Sequence, residues 1–224
     1  MGTMIEFARP DGGNTKGYLA TTGADRPSLI VIQEWWGLND QICGVADRFA
    51  RAGYNALAPD LYEGRVTQEP DEANHMMGGL DFPGATHQDL RGAALHLQEL
   101  GSNGGGKVGV MGFCMGGALT IATAVHVPEV SLGVCFYGIP PQEFADPAKI
   151  TLPLQCHFAN QDDWCTPEAV NDLEATMKGA GVRSEIHRYD AAHGFFNETS
   201  ETAYDATAAN LAWRRMRDFL AANL

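Results

Sequence analysis

The sequence predicts an α/β fold, a mostly parallel sheet with helices on both faces and an antiparallel hairpin at its N-terminal end. Three observations carry this reading. Strand-like and helix-like segments alternate at least five times along the 224 residues, as a parallel sheet requires, since each strand is reached through a crossover. The central strand candidates are continuous apolar runs such as Ser28-Leu29-Ile30-Val31-Ile32, the pattern of strands buried on both faces. Residues able to act as acid, base or nucleophile (Glu34, Cys114, Asp162 and His193) fall just past strand ends, where sheets of this kind bind ligands.

Taken in order, residues 5–8 and 17–21 are short strands flanking the turn Pro10-Asp11-Gly12-Gly13-Asn14, which gives the hairpin. The strand 28–32 ends at Gln33-Glu34-Trp35-Trp36-Gly37. Asn39 or Asp40 caps a helix reaching about residue 52, with Ile42, Val45, Ala46 and Phe49 on one face and Gly53 as its stop. Residues 54–58 form the next strand, leading into Pro59-Asp60-Leu61-Tyr62. Residues 63–83 are polar, glycine-bearing and weakly periodic, and read as a long loop. Helical period returns over 86–100 through Leu90, Ala93, Ala94 and Leu97. The glycine-rich stretch 101–106 reads as a surface turn, because no Gly-Lys-Ser/Thr ends it as a phosphate loop would require. Strands follow at 107–111, 130–137, 152–158 and 184–189. Helices follow over 117–124, from the Thr166 cap and Pro167 onward, and over 202–223. No repeat or linker interrupts the chain, so a single domain over 1–224 is expected.

Composition narrows the function classes. Hydrophobic residues make up 45% of the chain, a globular content. The net charge of −13 argues against nucleic acid or an anionic membrane as partner and leaves a small molecule as the expected one. The amino terminus carries no basic stretch followed by an apolar core, and no apolar run reaches membrane-spanning length. Five cysteines without a framework spacing fit reduced thiols, and the expected location is cytoplasmic. No His/Glu or Cys/His ligand spacing points to a metal, and no cofactor motif is present. Monomer and homodimer both remain open.

The chemistry centres on Gly112-Phe113-Cys114-Met115-Gly116. A strand, a glycine-bracketed turn and a helix are the setting of a nucleophile elbow, in which a strained central residue projects its side chain above the sheet. A side chain at Gly112 or Gly116 would crowd the neighbouring strand or helix. The helix N-terminus beyond Met115 favours a thiolate at Cys114, whereas Cys43, Cys135 and Cys156 read as small buried hydrophobes. An attacking thiol needs a base, and the base an orienting acid. His193 follows the last strand, and Asp162 an earlier one. The order Cys114, Asp162, His193 is nucleophile, acid, histidine. Asp163 stands as the alternative acid. Glu34, beside Trp35, Trp36 and Gly37, is a carboxylate in apolar surroundings, able to bond the Cys114 thiol and control its ionisation. The N–H groups of Trp35 and Met115 are the candidate oxyanion donors.

Four stretches, Gln33-Glu34-Trp35-Trp36-Gly37-Leu38-Asn39, Ala58-Pro59-Asp60-Leu61-Tyr62, Gly112-Phe113-Cys114-Met115-Gly116-Gly117 and Ala192-His193-Gly194-Phe195, resemble the dienelactone hydrolase (carboxymethylenebutenolidase) family, in matching order over nearly the whole chain. The resemblance implies an α/β-hydrolase fold and lactone opening by a Cys-His-Asp triad. In it Cys114 is nucleophile, His193 base and acid, and Asp162 its orienter. Glu34 holds the resting thiol until substrate displaces it, and Trp35 and Met115 supply the oxyanion donors. Dienelactone-specific members hold the substrate carboxylate with arginines, one of them four residues after the histidine, where this chain has Asn197. The loop before the fourth helix offers Asn74, His75 and Met76, with Arg65 as the one arginine nearby. Trp36, His75, Trp164 and Phe195 are the expected pocket residues, joined by Trp35 and Phe82 as aromatics. The expected substrate is a less carboxylate-dependent ester or lactone. A general carboxylesterase or thioesterase on the same triad is the alternative enzyme. A thiol redox or electrophile-sensing protein using Cys114 and a binding protein without activity are alternatives of other classes.

Overall fold

The computed structural model describes residues 1–100 and 106–224. Except for Gly106, the expected glycine-rich turn at 101–106 lies outside the described residues. Among the described residues, eight strands form one sheet in the order β1-β2-β4-β3-β5-β6-β7-β8. They are β1 (Thr3–Ala8), β2 (Asn14–Ala20), β3 (Ser28–Ile32), β4 (Asn55–Pro59), β5 (Val108–Phe113), β6 (Leu132–Phe136), β7 (Leu154–Gln161) and β8 (Ser184–Ala192). β2 runs antiparallel to β1 and β4, and every other neighbouring pair is parallel. This is the α/β-hydrolase arrangement, with the expected antiparallel hairpin at one edge.

The helices are α1 (Asp40–Arg51), α2 (Pro70–Gly78), the single turn α3 (Phe82–Gly84), α4 (Arg91–Leu100), α5 (Met115–His126), α6 (Pro167–Gly179) and α7 (Ala206–Asn223). Side-chain alternation on the buried strands explains the two layers. In β3, Leu29 and Val31 pack into a core with Phe49 of α1 and Met216 and Leu220 of α7. Ile30 and Ile32 face the opposite core, with Leu90, Ala93 and Leu97 before and within α4, and Leu119 of α5. No helix among the described residues is long and apolar enough to cross a membrane.

The caps stand where side-chain chemistry puts them. The Asn39 side chain accepts from the N–H of Ile42 at 3.1 Å, and Thr166 caps α6 ahead of Pro167. Several elements differ from the sequence reading. The loop expected at 63–83 contains α2, whose burial is confined to Ala73 and Met76, too little apolar surface to leave a clear period. The final helix starts at Ala206, because Asp205 caps it by accepting from Ala208 N–H at 2.8 Å. The helical turn Ala85–Leu90 ahead of α4 is π-wound. β7 carries a register shift between Ala159 and Gln161 against β8, a bulge of the kind that re-aims a strand end, two residues before Asp162.

Candidate active site

Five adjacent strands end at one edge, and each delivers one polar side chain to it. Glu34 follows β3, Cys114 β5, Tyr137 β6, Asp162 β7 and His193 β8. Cys114 has φ +54°, a conformation costing about 1–3 kcal/mol for a residue other than glycine. Its N–H donates to Phe136 O at 3.0 Å, and its carbonyl accepts from Gly117 and Ala118 at 2.9 and 3.1 Å, which holds the turn in place. A Cβ on Gly112 would strike the Gly116 carbonyl. A Cβ on Gly116 would lie 2.5 and 2.6 Å from the carbonyl oxygens of Gln33 and Ile32. The bracketing glycines therefore let β5, the turn and α5 close against the end of β3.

His193 Nδ1 lies 2.8 Å from Asp162 Oδ2. A carboxylate can only accept, so Nδ1 carries the proton. Asp162 Oδ1 accepts from the N–H groups of Trp164 and Cys165 at 2.8 and 2.9 Å. Burial works against the Asp162 charge, but His193 and these two N–H groups outweigh it and hold the carboxyl below its ordinary range. Asp163 is exposed, so of the two adjacent acids it is Asp162 that meets the histidine. Burial opposes the His193 imidazolium as well. Its bonds and attractions to Asp162 and Cys114 prevail and push its pKa up to about 10. The Cys114 thiol is pushed up by burial, with His193 pulling the other way. The two groups are near enough to influence each other's ionisation. Even so, His193 Nε2 is buried and makes no hydrogen bond of ordinary geometry among the described residues.

Glu34 is buried, and its bonds differ from the expectation. Oε1 accepts from the Tyr137 hydroxyl at 3.2 Å and Oε2 from Asn197 Nδ2 at 2.8 Å, and no hydrogen bond joins it to the Cys114 thiol. Its influence on Cys114 is through-space charge. Burial raises the Glu34 pKa, against the opposing pull of Asn197, His193 and Tyr137. The N–H of Met115 faces the Cys114 sulfur. That of Trp35 has no acceptor among the described residues.

These groups open into a cavity of about 660 Å³. Trp35, Trp36 and Trp164 wall it, with Phe82, Met77 and Ile139 among its other apolar residues, and the described residues lining it include no lysine or arginine. Two expected pocket residues are absent from it. His75 is exposed on α2, and Phe195 is fully buried in the core against Tyr137 and Tyr189, because Gly194 at φ +82° turns the chain inward after His193. Sequence reasoning missed Tyr137 and the bond from Asn197 to Glu34. Tyr137 had a readable signal, since it closes a buried strand just before Gly138-Ile139-Pro140. Asn197 and Glu34 stand 163 positions apart, and nothing local links them.

The family model of the dienelactone hydrolase family matches residues 15–224. The chain belongs to the dienelactone hydrolase family. Membership makes it a hydrolase of ester or lactone bonds. Among this family member's relatives, Protein usf of Aquifex pyrophilus is 34% identical over 220 residues, covering 95% of each chain. A solved structure from Klebsiella pneumoniae subsp. pneumoniae MGH 78578 superposes with a TM-score of 0.85 at 24% identity, covering 99% of each chain. Another, the dienelactone hydrolase-like promiscuous phosphotriesterase P91 from metagenomic libraries, gives 0.80 at 22% identity, covering 99% of this chain and 98% of that one. At these identities the structures speak for the fold alone.

Proposed function

We propose that this dienelactone hydrolase-family member opens an uncharged ester or lactone by moving its acyl group first to Cys114 and then to water. One observation carries the reading. His193 has Nδ1 bonded to Asp162 and a buried Nε2 free of any other acceptor or donor of ordinary geometry among the described residues, it lines the same cavity as Cys114, and the two influence each other's ionisation. In the first half-reaction the Cys114 thiol gives its proton to Nε2 as sulfur bonds to the substrate carbonyl carbon. The carbonyl oxygen takes up the negative charge against the N–H groups of Trp35 and Met115. The C–O bond breaks, and Nε2 returns the proton to the leaving oxygen. In the second half, water attacks the thioester while Nε2 takes its proton. The C–S bond breaks, and the proton goes back to sulfur. Asp162 stabilises the imidazolium formed in each half, and the Glu34 carboxylate adds a through-space attraction to it. The described residues lining the cavity include no lysine or arginine to pair with a substrate carboxylate, which supports an uncharged substrate.

The test is rapid mixing with p-nitrophenyl acetate followed by intact-mass measurement. The expected result is a burst of nitrophenol and one acetyl group on Cys114, absent in Cys114→Ala and persistent in His193→Ala. Turnover by Cys114→Ala at the wild-type rate overturns the reading.

A further inference from the structure

Trp164 is unusual among the large apolar residues of the site. Its side chain is 64% exposed, yet it lines the cavity and stands edge-on to Trp35, with ring centroids 5.7 Å apart. Trp35 in turn packs edge-on against Trp36 at 5.0 Å. A core role does not account for an indole left in water, and its backbone work, the N–H bond to Asp162 Oδ1 at 2.8 Å, needs no indole. The ring lies on the histidine side of the cavity, 6.5 Å from the His193 ring. The other ring packed on His193 is Tyr137 at 5.0 Å, which is buried and bonded to Glu34.

These positions have a chemical consequence, which rests on the acyl-enzyme reading above. The leaving oxygen must come within hydrogen-bond reach of His193 Nε2 to collect its proton. Whatever is attached to that oxygen then lies beside the imidazole, next to which the Trp164 indole lines the cavity. The acyl part is bound to Cys114 sulfur and takes up other parts of the same cavity, whose lining includes Ile139, Phe82 and Met77. We infer that Trp164 is the platform for the leaving group, and that this enzyme takes aryl esters whose flat leaving group stacks on the indole. Offset or edge-to-face stacking between aromatic rings amounts to about a 3- to 10-fold preference. The contact is made during acylation only. Once the aryl alcohol departs, the acetyl-enzyme is the same whatever ester formed it, and Trp164 has no further part in its hydrolysis.

The experiment compares p-nitrophenyl acetate with 2,2,2-trifluoroethyl acetate on the wild type, Trp164→Ala and Trp164→Phe, reading kcat/KM for each ester and the rate at which the acetyl adduct on Cys114 decays. The exposed position of the side chain and the retained backbone N–H keep both variants folded. The expected result is a loss of about 3- to 10-fold in kcat/KM for the aryl ester in Trp164→Ala, partial recovery in Trp164→Phe, a clearly smaller loss for the alkyl ester, and the same adduct decay. Equal losses on both esters mean that Trp164 acts through the Asp162 loop, and they overturn the inference alone, as does no loss on either. A wild type that turns over these esters without an acetyl adduct on Cys114 overturns the acyl-enzyme reading, and the inference with it.

Discussion

Replacing Asp162 with Asn tests the site at its most coupled point. The amide oxygen can still accept from the N–H groups of Trp164 and Cys165, which hold Oδ1 at 2.8 and 2.9 Å, so the loop keeps its shape. The amide nitrogen then faces His193 Nδ1 across what was a 2.8 Å bond and, being a donor, forces the proton onto Nε2. With its chief charge partner gone and burial still opposing the imidazolium, the imidazole pKa falls from about 10 toward its ordinary 6.5. Removing one partner of such a buried pair costs about 3–5 kcal/mol. Because the amide keeps its other two bonds, the lower end applies, and at 2–4 °C per kcal/mol for a chain of this size Tm drops by about 6–12 °C. The pH dependence has a definite sign. His193 has a raised pKa, so its contribution is full below 6.5 and is lost as pH rises through about 10. Asp162 has a lowered one, so its contribution is present above 3.8 and is lost as pH falls through its depressed value. Differential scanning calorimetry of wild type and variant across this range should therefore show the widest gap between about pH 4 and 6.5, closing on both sides. Ester turnover should fall by about 10²–10⁴ because Nε2 can no longer accept the thiol proton. A Tm gap that does not change with pH refutes the assignment of the shifts to this pair.

Three further outcomes follow from the same structure. Gly116→Ala pushes a methyl into the Gln33 and Ile32 carbonyls and should lower stability by about 1–3 kcal/mol, read as a reduced urea midpoint, with loss of the acetyl burst. Asn197→Ala leaves Glu34 Oε2 without its donor, a loss of about 1–3 kcal/mol. Glu34 already has a raised pKa and its charged form is the one left unpaired, so urea unfolding should find the variant weakened more at pH 8 than at pH 5. An aryl hemisuccinate carries a carboxylate into the cavity, whose described lining includes no lysine or arginine. Its kcat/KM should be at least about tenfold below that of the aryl butanoate, and equal values would show that the cavity tolerates the charge.

Legibility in the sequence followed distance along the chain. The elbow could be read because its requirements lie within five residues, two glycines and the residue between them. The buried strands could be read because burial on both faces leaves an unbroken apolar run. Strand ends were harder. β7 and β8 extend past their apolar cores into Gln161 and Ala192, so ladder pairing continues where hydrophobicity has stopped. α2 was misread because a helix with two buried residues carries almost no period, although Pro70 at its first turn was an available signal. Phe195 was misplaced because an aromatic next to a histidine says nothing about which way the backbone turns, and Gly194 decides that. Glu34 could be recognised as a special carboxylate, but its partners Tyr137 and Asn197 come from the segments after β6 and β8, which only the assembled sheet brings beside it.

The sheet order has a consequence for how such a protein changes. With adjacent strands about 4.8 Å apart, the five strand-end residues form a row about 20 Å long anchored to backbone that the whole core holds rigid. The walls of the cavity are borrowed from elsewhere: Met77 from α2, Phe82 from α3, Ile139 and Trp164 from the segments after β6 and β7. Mutational libraries confined to those four positions vary the shape offered to a substrate while leaving the reactive row untouched. New substrate preferences are thus within reach of single substitutions that put neither the fold nor the chemistry at risk.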